Sequence, residues 1–265
     1  MAGDVWAVGA AYEPYAGRWS RAVAAAFVRW LDVSPGLRWL DIGCGTGAVS
    51  QAVLDLGSPA EVTGADASEG FVRHARGKIA GARARFVVGD AVRLPFADDM
   101  ASVAVSGLLL NFVPDPGRAV AEAARVVRPG GAVGAYVWDY AEGMRLMRHF
   151  WDAACALDPG ARALDEGVRF PLCRPGPLRA LFDGGGLTDV QVVAIDVPTR
   201  FADFDDYWTP FLGGQGPAPG YAMSLPEDRR TRLRDRLRSG LPVAADGSVS
   251  LTARAWAVRG RVPGP

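Results

Sequence analysis

The segment that most constrains this chain runs from Arg38 to Ser50 and reads RWLDIGCGTGAVS. It begins as a short apolar strand, passes through three alternating glycines and continues at helical spacing. Glycine permits a positive φ and a close ligand approach, and the first N–H groups of a helix attract a carboxylate or phosphate. Asp41, at the end of the strand, can accept from an ammonium group. The segment predicts a ligand site, and the simpler possibility is a tight turn that binds nothing. The glycines are Gly43, Gly45 and Gly47, and the apolar helix positions are Val49, Val53 and Leu56.

Strand-like and helix-like patterns alternate from Ser20 to Trp138. This alternation is typical of a parallel sheet with helices on both faces, whose ligands bind at the carboxyl ends of the strands. Two helix starts have clear capping residues, Ser68 followed by Glu69, and Asp115 followed by Pro116. We predict a helix over Ser20–Leu31 and strands over Arg38–Ile42, Glu61–Asp66, Arg85–Val88, Ala101–Val105 and Ala132–Trp138.

The pattern after Trp138 is looser and contains a long insertion from Phe201 to Ser248. An insertion of this length within a compact domain is usually functional or mobile. It carries a Gly/Pro-rich loop from Gly213 to Gly220 and an arginine-rich helix from Pro226. Around it we predict a helix over Met144–Leu157, another starting at Pro175 or Pro177, and strands over Gln191–Val197 and Thr252–Val258.

Composition limits the classes of function. The 265 residues are 49% hydrophobic and 22% charged with a formal net charge of zero, which suits one globular domain and disfavours a nucleic-acid partner. The three cysteines have no metal-binding spacing, so we expect no metal. We find neither a signal-peptide pattern nor an apolar run long enough to cross a membrane, and we expect a cytoplasmic protein.

Four motifs occur in a characteristic order: residues 41–47 (DIGCGTG), Asp66 at a strand end, residues 89–91 (GDA) and residues 129–131 (PGG). This order resembles the class I S-adenosylmethionine (SAM) dependent methyltransferases, in particular the small-molecule enzymes of the ubiquinone and menaquinone type. The resemblance implies an α/β fold with a seven-stranded, mostly parallel, doubly wound (Rossmann-like) sheet. Residues 252–261 would form an antiparallel strand near one edge. It also implies a single domain over 1–265, with a SAM-binding core at 35–140 and helical cap insertions or substrate-side elements at 1–34, 141–185 and 201–248.

The resemblance also assigns roles at the glycine turn. Gly43 and Gly45 would approach the methionine part of SAM, and Asp41 would lie near its ammonium group. Asp66 would accept from both ribose hydroxyls, which suits one carboxylate facing two donors. Asp66 could instead cap the helix that begins near Ser68.

Further along the same rim, Asp90 would accept from the adenine amino group and the Ala91 N–H would donate to a ring nitrogen. Leu108 would cover the adenine or the methionine chain. The simpler possibility for Asp90 is an ordinary turn residue. Three acids at three adjacent strand ends nevertheless favour a common ligand.

The N-terminal stretch from Tyr12 to Ser20 is rich in aromatic residues. In similar enzymes an arginine here pairs with the SAM carboxylate, and Arg18 suits such bidentate binding. Tyr15 and Trp19 could stack near the sulfonium, where a cation–π attraction helps. Trp19 could equally begin a helix and pack in the core.

Methyl transfer from a sulfonium requires alignment above all, and a base only if the acceptor must lose a proton. No catalytic residue is fixed by the sequence, and the candidates are Tyr15, Asn111 and His149. We therefore predict a methyltransferase that acts on oxygen or carbon of a small, largely apolar acceptor. The alternatives are an RNA methyltransferase, or a SAM-binding enzyme or sensor that transfers no methyl group. Five aromatic residues suggest an acceptor pocket, although each could equally belong to the core: Trp138, Trp151, Tyr207, Trp208 and Phe211.

Overall fold

The computed structural model describes residues 18–213 and 216–264, with the Arg18 side chain excepted. The helices are α1 (Arg18–Leu31), α2 (Ala48–Leu56), α3 (Glu69–Lys78), α4 (Pro116–Val126), α5 (Arg145–Leu157), α6 (Glu166–Arg169), α7 (Pro175–Gly184), α8 (Phe204–Trp208), α9 (Pro217–Ser224) and α10 (Glu227–Gly240). The strands are β1 (Arg38–Ile42), β2 (Glu61–Asp66), β3 (Ala84–Val88), β4 (Ala101–Gly107), β5 (Val127–Trp138), β6 (Thr188–Phe201) and β7 (Val249–Arg261).

The described strands form one seven-stranded sheet in the order β3-β2-β1-β4-β5-β7-β6. The pairs β3–β2, β2–β1, β1–β4 and β4–β5 are parallel. The strand β7 runs antiparallel to β5, because the Asp139 N–H donates to Arg254 O while the Val262 N–H donates to Gly131 O. The predicted Rossmann-like fold, including the antiparallel strand, is confirmed.

Local sequence rules set several element boundaries. The Ser68 hydroxyl accepts from the Phe71 N–H at the start of α3, and the Asp115 carboxylate accepts from the Arg118 N–H at the start of α4. Both predicted caps are confirmed. In α2, Val49 and Val53 are buried as predicted, but Leu56 is exposed. It is the last residue of that helix, where the chain turns through Gly57.

The segment 129–131 precedes the strand predicted over Ala132–Trp138, and the structure places it within β5. The pairing of β5 with β4 steps from Val127 to Ala132 while β4 advances only from Ala101 to Val103. The extra residues bulge out of the ladder, and Gly130 takes a positive φ of 73°. The predicted strand start at Ala132 is therefore five residues late.

Two compact units can be recognised. The sheet unit contains residues 20–137, 172–195 and 256–264, and the second unit contains residues 138–171 and 196–255 together with Trp19. The core of the sheet unit packs α4 and α7 against apolar strand residues. Its members include Leu40, Ala104, Val120, Val133, Leu178 and Phe182. This packing holds the carboxyl ends of β1, β2 and β4 in fixed register.

The aromatic residues predicted to line an acceptor pocket form the core of the second unit instead. The Phe211 ring stacks on Phe150, with centroids 4.5 Å apart. The buried Tyr207 hydroxyl donates to Leu146 O at 3.0 Å. Burial leaves these side chains no open face, so the core alternative holds and the acceptor-pocket alternative does not. The five residues concerned are all buried: Trp138, Trp151, Tyr207, Trp208 and Phe211.

The insertion is more ordered than its composition suggests. Part of the predicted Gly/Pro-rich loop is the helix α9, in which proline occupies the first turn. The predicted arginine-rich helix is α10, with Leu233 and Leu237 buried. No helix within the described ranges is both long and apolar enough to cross a membrane.

Candidate active site

The turn after β1 exposes backbone where a ligand can approach. Gly43 and Gly45 have φ values of 71° and 51°, in the left-handed region that favours glycine. A Cβ atom at Gly43 would lie 2.7 Å from the Leu109 side chain, whereas a Cβ atom at Gly45 would meet nothing within 4 Å. Gly43 therefore allows the Leu109 side chain to pack close, and Gly45 leaves an open surface.

Asp41 is a buried carboxylate that is only half satisfied. Its Oδ2 accepts from the Ser50 N–H at 2.9 Å and from the Ser50 hydroxyl at 2.6 Å. Its Oδ1 is buried and has no hydrogen-bond partner among the described residues. Burial raises the pKa of Asp41 to about 7, although the hydrogen bonds from Ser50 oppose the shift. An unpartnered buried acceptor is costly, so a cationic donor at Oδ1 would be stabilising.

Asp66, at the end of β2, is hydrogen-bonded to the glycine turn that follows β1. Its Oδ2 accepts from the Gly45 N–H at 2.9 Å, and its Oδ1 accepts from the Ser68 N–H at 2.8 Å. Each carboxylate oxygen therefore accepts one hydrogen bond from a backbone N–H, whereas an ionised carboxylate can accept about four hydrogen bonds in all. The carboxylate thus supports the turn and keeps capacity for two further donors.

The next residues predicted at this rim are Asp90, Ala91 and Leu108. Asp90 is exposed, and its side chain accepts from the Val92 N–H at 3.1 Å in a local turn. Ala91 is buried. Leu108 has a φ of 62°, which is rare for a leucine, and its N–H donates to Tyr136 O. This strained backbone follows β4 directly, at the same rim as Asp41.

Two polar side chains near the end of β4 also lack partners. The Ser106 hydroxyl and the Asn111 Oδ1 are buried without a hydrogen bond to any residue in the described ranges. Asn111 was a sequence candidate, and Ser106 directly follows the strand predicted over Ala101–Val105 and so was expected at the same rim. The Asp41 partner Ser50 was not named as a site residue. No short-range pattern marks Ser50, because its role depends on contact with a residue nine positions earlier.

The remaining sequence candidates are Tyr15, Arg18, Trp19 and His149. Tyr15 and the Arg18 side chain lie outside the described residues, so their roles stay predictions. Trp19 is buried, and its ring meets Phe201 edge-on with centroids 5.2 Å apart. His149 lies on α5 in the second unit, where burial and the neighbouring Arg145 lower its pKa.

Comparison with known proteins finds a family likeness over the strands that carry this site. Residues 40–134 match the family model described as a methyltransferase domain. The matched residues include Leu40–Ile42 of β1, the glycine turn and the strand ends that carry Asp66, Asp90 and Leu108.

Two named relatives share part of their sequence with this chain. The chain is 37% identical over 111 residues to a demethylmenaquinone methyltransferase from Desulfitobacterium hafniense, covering 40% of this chain and 44% of that protein. It is 38% identical over 98 residues to a malonyl-[acyl-carrier protein] O-methyltransferase from Methylococcus capsulatus, covering 37% of this chain and 36% of that protein. The chain thus matches less than half the length of either relative.

A solved structure extends the likeness of fold. Phosphoethanolamine N-methyltransferase 2 from Haemonchus contortus, in complex with phosphomonomethylethanolamine and S-adenosylhomocysteine, aligns with a TM-score of 0.59. The alignment covers 96% of this chain and 56% of that chain at 16% identity. Identity this low supports the shared fold alone.

The residues at the glycine turn fit SAM. Gly45 offers open backbone, the Asp41 Oδ1 is an unpartnered acceptor, and Asp66 retains acceptor capacity. These features match an ammonium group and a ribose diol in chemistry.

Proposed function

We propose that this chain transfers a methyl group from SAM to oxygen or carbon of a small, largely apolar acceptor. The observation that carries the proposal is the buried Asp41 carboxylate, whose Oδ1 has no partner in the described part of the chain. A fold would not retain such an atom without a donor, and the SAM ammonium is a suitable one. The names of the two sequence relatives support small-molecule or carrier-bound acceptors.

We assign the cofactor contacts as follows. Asp41 accepts from the ammonium group, and Gly43 and Gly45 border the methionine chain. Asp66 accepts from the ribose hydroxyls while remaining anchored to the Gly45 and Ser68 N–H groups. The further proposed contacts are Asp90, Ala91 and Leu108 at the adenine, with Tyr15, Arg18 and Trp19 at the N-terminal side.

When bound, SAM supplies a methyl group already activated by its sulfonium. The chain's own contribution is to align the acceptor, to exclude water and, where needed, to hold a proton. Holding two reactants in line can supply several kcal/mol, up to about 7–11 kcal/mol in favourable cases. Asn111, with its buried Oδ1, would orient a hydroxyl or enol of the acceptor by accepting a hydrogen bond. Tyr15 and His149 remain the candidates for a proton acceptor.

Two other functions are compatible with a SAM-binding domain, an RNA methyltransferase and a SAM-binding enzyme or sensor that transfers no methyl group. The zero net charge disfavours RNA, whose binding draws on a positive surface. The proposed single-domain organisation places the SAM-binding core within 35–140 and the acceptor-side elements outside it.

The test is methyl transfer from isotopically labelled SAM to a panel of phenols, quinols, carboxylic acids and short RNAs. We expect label in an apolar phenol, quinol or acid and none in RNA. Asn111→Ala should lower kcat with little effect on SAM binding. Gln51→Ala is the matched control, since this exposed amide lies on α2 and bonds only the neighbouring Asp55. Label in RNA alone would favour the RNA methyltransferase. SAM binding without transfer to any acceptor would favour the third function.

A further inference from the structure

The second unit contains a cavity of about 310 Å³ that the proposed methyl transfer does not use. It lies among the C-terminal end of α5, the helix α9 and the helix α10. Its apolar side includes Leu157, Leu225 and the fully buried Leu233. Its polar side includes Arg229 and Arg232. A volume near 300 Å³ lies at the lower end of the range for small-molecule sites, and this lining combines five apolar residues with four polar ones.

The two arginines on this cavity are available to a ligand. Arg229 and Arg232 lie three residues apart on α10, so their side chains share one face of the helix. Neither forms a salt bridge with a residue in the described ranges. By contrast, Arg234 and Arg238 of the same helix both bind Asp205, at 2.9 and 3.4 Å.

A tyrosine and a carboxylate complete the polar side. The Tyr221 hydroxyl donates to the Asp158 Oδ2 at 3.4 Å, and both residues line the cavity. Burial and the Asp158 carboxylate raise the pKa of Tyr221, and the Arg229 guanidinium opposes that shift. Two guanidinium groups and one carboxylate leave the cavity with one net positive charge.

We propose that this cavity binds a singly charged carboxylate that carries a short apolar chain. The planar guanidinium matches a carboxylate in a bidentate arrangement, and the leucine side receives the chain. The ligand's single negative charge balances the net charge of the cavity. A doubly charged phosphate monoester would bring a second negative charge close to Asp158, which is unfavourable.

The experiment is calorimetric titration of the full-length protein with octanoate. Octanamide tests the charge at equal chain length, acetate tests the chain, and octyl phosphate tests the preference for a single charge. We expect octanoate to bind at least tenfold more tightly than each of the three. Equal affinity for octanoate and octanamide, or tighter binding of octyl phosphate, would overturn the proposal.

Variants of α10 locate the site. The double variant Arg229→Gln/Arg232→Gln should bind octanoate at least tenfold more weakly. Arg236→Gln removes one positive charge from an exposed position of the same helix that does not line this cavity, and should change affinity less than twofold. Thermal unfolding of each variant checks that it folds. An unchanged affinity in the double variant, or an equal loss in Arg236→Gln, would contradict the assignment. None of these measurements depends on methyl transfer.

Discussion

Each unit of the molecule holds a buried carboxylate whose pKa is strongly raised, Asp41 in one and Glu166 in the other, and the two differ in their hydrogen-bond partners. Asp41 in the sheet unit has one oxygen without a partner among the described residues. Glu166 in the second unit accepts a hydrogen bond from the Trp151 indole. Burial raises the pKa of Asp41 to about 7 and that of Glu166 to about 8. The difference separates the carboxylate that we propose binds the cofactor from one that belongs to the core.

The largest expected effect is a loss of folding stability when Trp151, the hydrogen-bond donor to Glu166, is removed. Trp151→Ala removes a fully buried indole and leaves Glu166 without its donor. We expect a loss of about 3–5 kcal/mol in the free energy of unfolding, the usual cost of a large-to-small core change. Urea denaturation measures it, with Trp30→Ala as a control at a partly exposed indole. A loss below about 1 kcal/mol would show that Trp151 is not part of a packed core.

The next effect is on pH-dependent stability. The pKa of Glu166 is about 8 in the folded state and near 4.5 when unfolded, so the folded protein retains a proton that the unfolded chain releases. Stability should therefore fall as pH rises from about 5 to 8, by at most about 1.4 kcal/mol per pH unit from this group. Glu166→Gln keeps an acceptor for Trp151 and should flatten that fall. A slope that is the same in wild type and variant would contradict the assigned pKa.

Asp41 should instead make cofactor binding depend on pH. An ammonium group at its Oδ1 favours the ionised carboxylate, so affinity for S-adenosylhomocysteine should rise with pH between about 5.5 and 7. The rise is limited to about tenfold per pH unit for a single proton. Asp41→Asn should bind more weakly and lose this dependence. Titration at several pH values measures it, and a rise that persists in Asp41→Asn would assign the proton to another group.

The smallest effect is expected on the exposed face of α10. Arg238→Gln removes a cation that lies 4.3 Å from the Phe204 ring centroid and 3.4 Å from Asp205. Exposed interactions of this kind contribute about 0.2–1 kcal/mol. Thermal unfolding in low and high salt should show a loss within that range that shrinks with salt. A loss of several kcal/mol would mean that this face is part of the core.

Elements governed by short-range chemistry could be predicted from the sequence. The strand Glu61–Asp66 matches its predicted bounds, because a buried run ends at an acid before the Ser68 cap. The helix starting at Pro116 follows from the capping oxygen of Asp115 and the fixed φ of proline. The cofactor motif lies within this part, where strand ends and turns are close in sequence.

Contacts between distant residues could not be predicted. Arg148 lies on the helix predicted over Met144–Leu157, and nothing in that spacing indicates its bidentate ion pair with the buried Asp165, at 3.0 and 2.7 Å. The unpartnered Oδ1 of Asp41 could not be predicted from the sequence either. It results from Ser50 donating both of its hydrogen bonds to the other oxygen, Oδ2. Helical spacing shows that a side chain faces inward, and only packing shows whether it meets another ring or leaves a pocket.

The most direct test of the central claim is calorimetric titration of the full chain with S-adenosylhomocysteine. We predict one binding site, with affinity weakened in Asp66→Ala by about 1–3 kcal/mol, the cost of removing a charged hydrogen-bond acceptor. Asp55→Ala, at an exposed carboxylate on α2, should leave the affinity unchanged. Absence of binding to the folded wild-type chain, or equal affinity in wild type and folded Asp66→Ala, would contradict the assignment of this rim as the cofactor site.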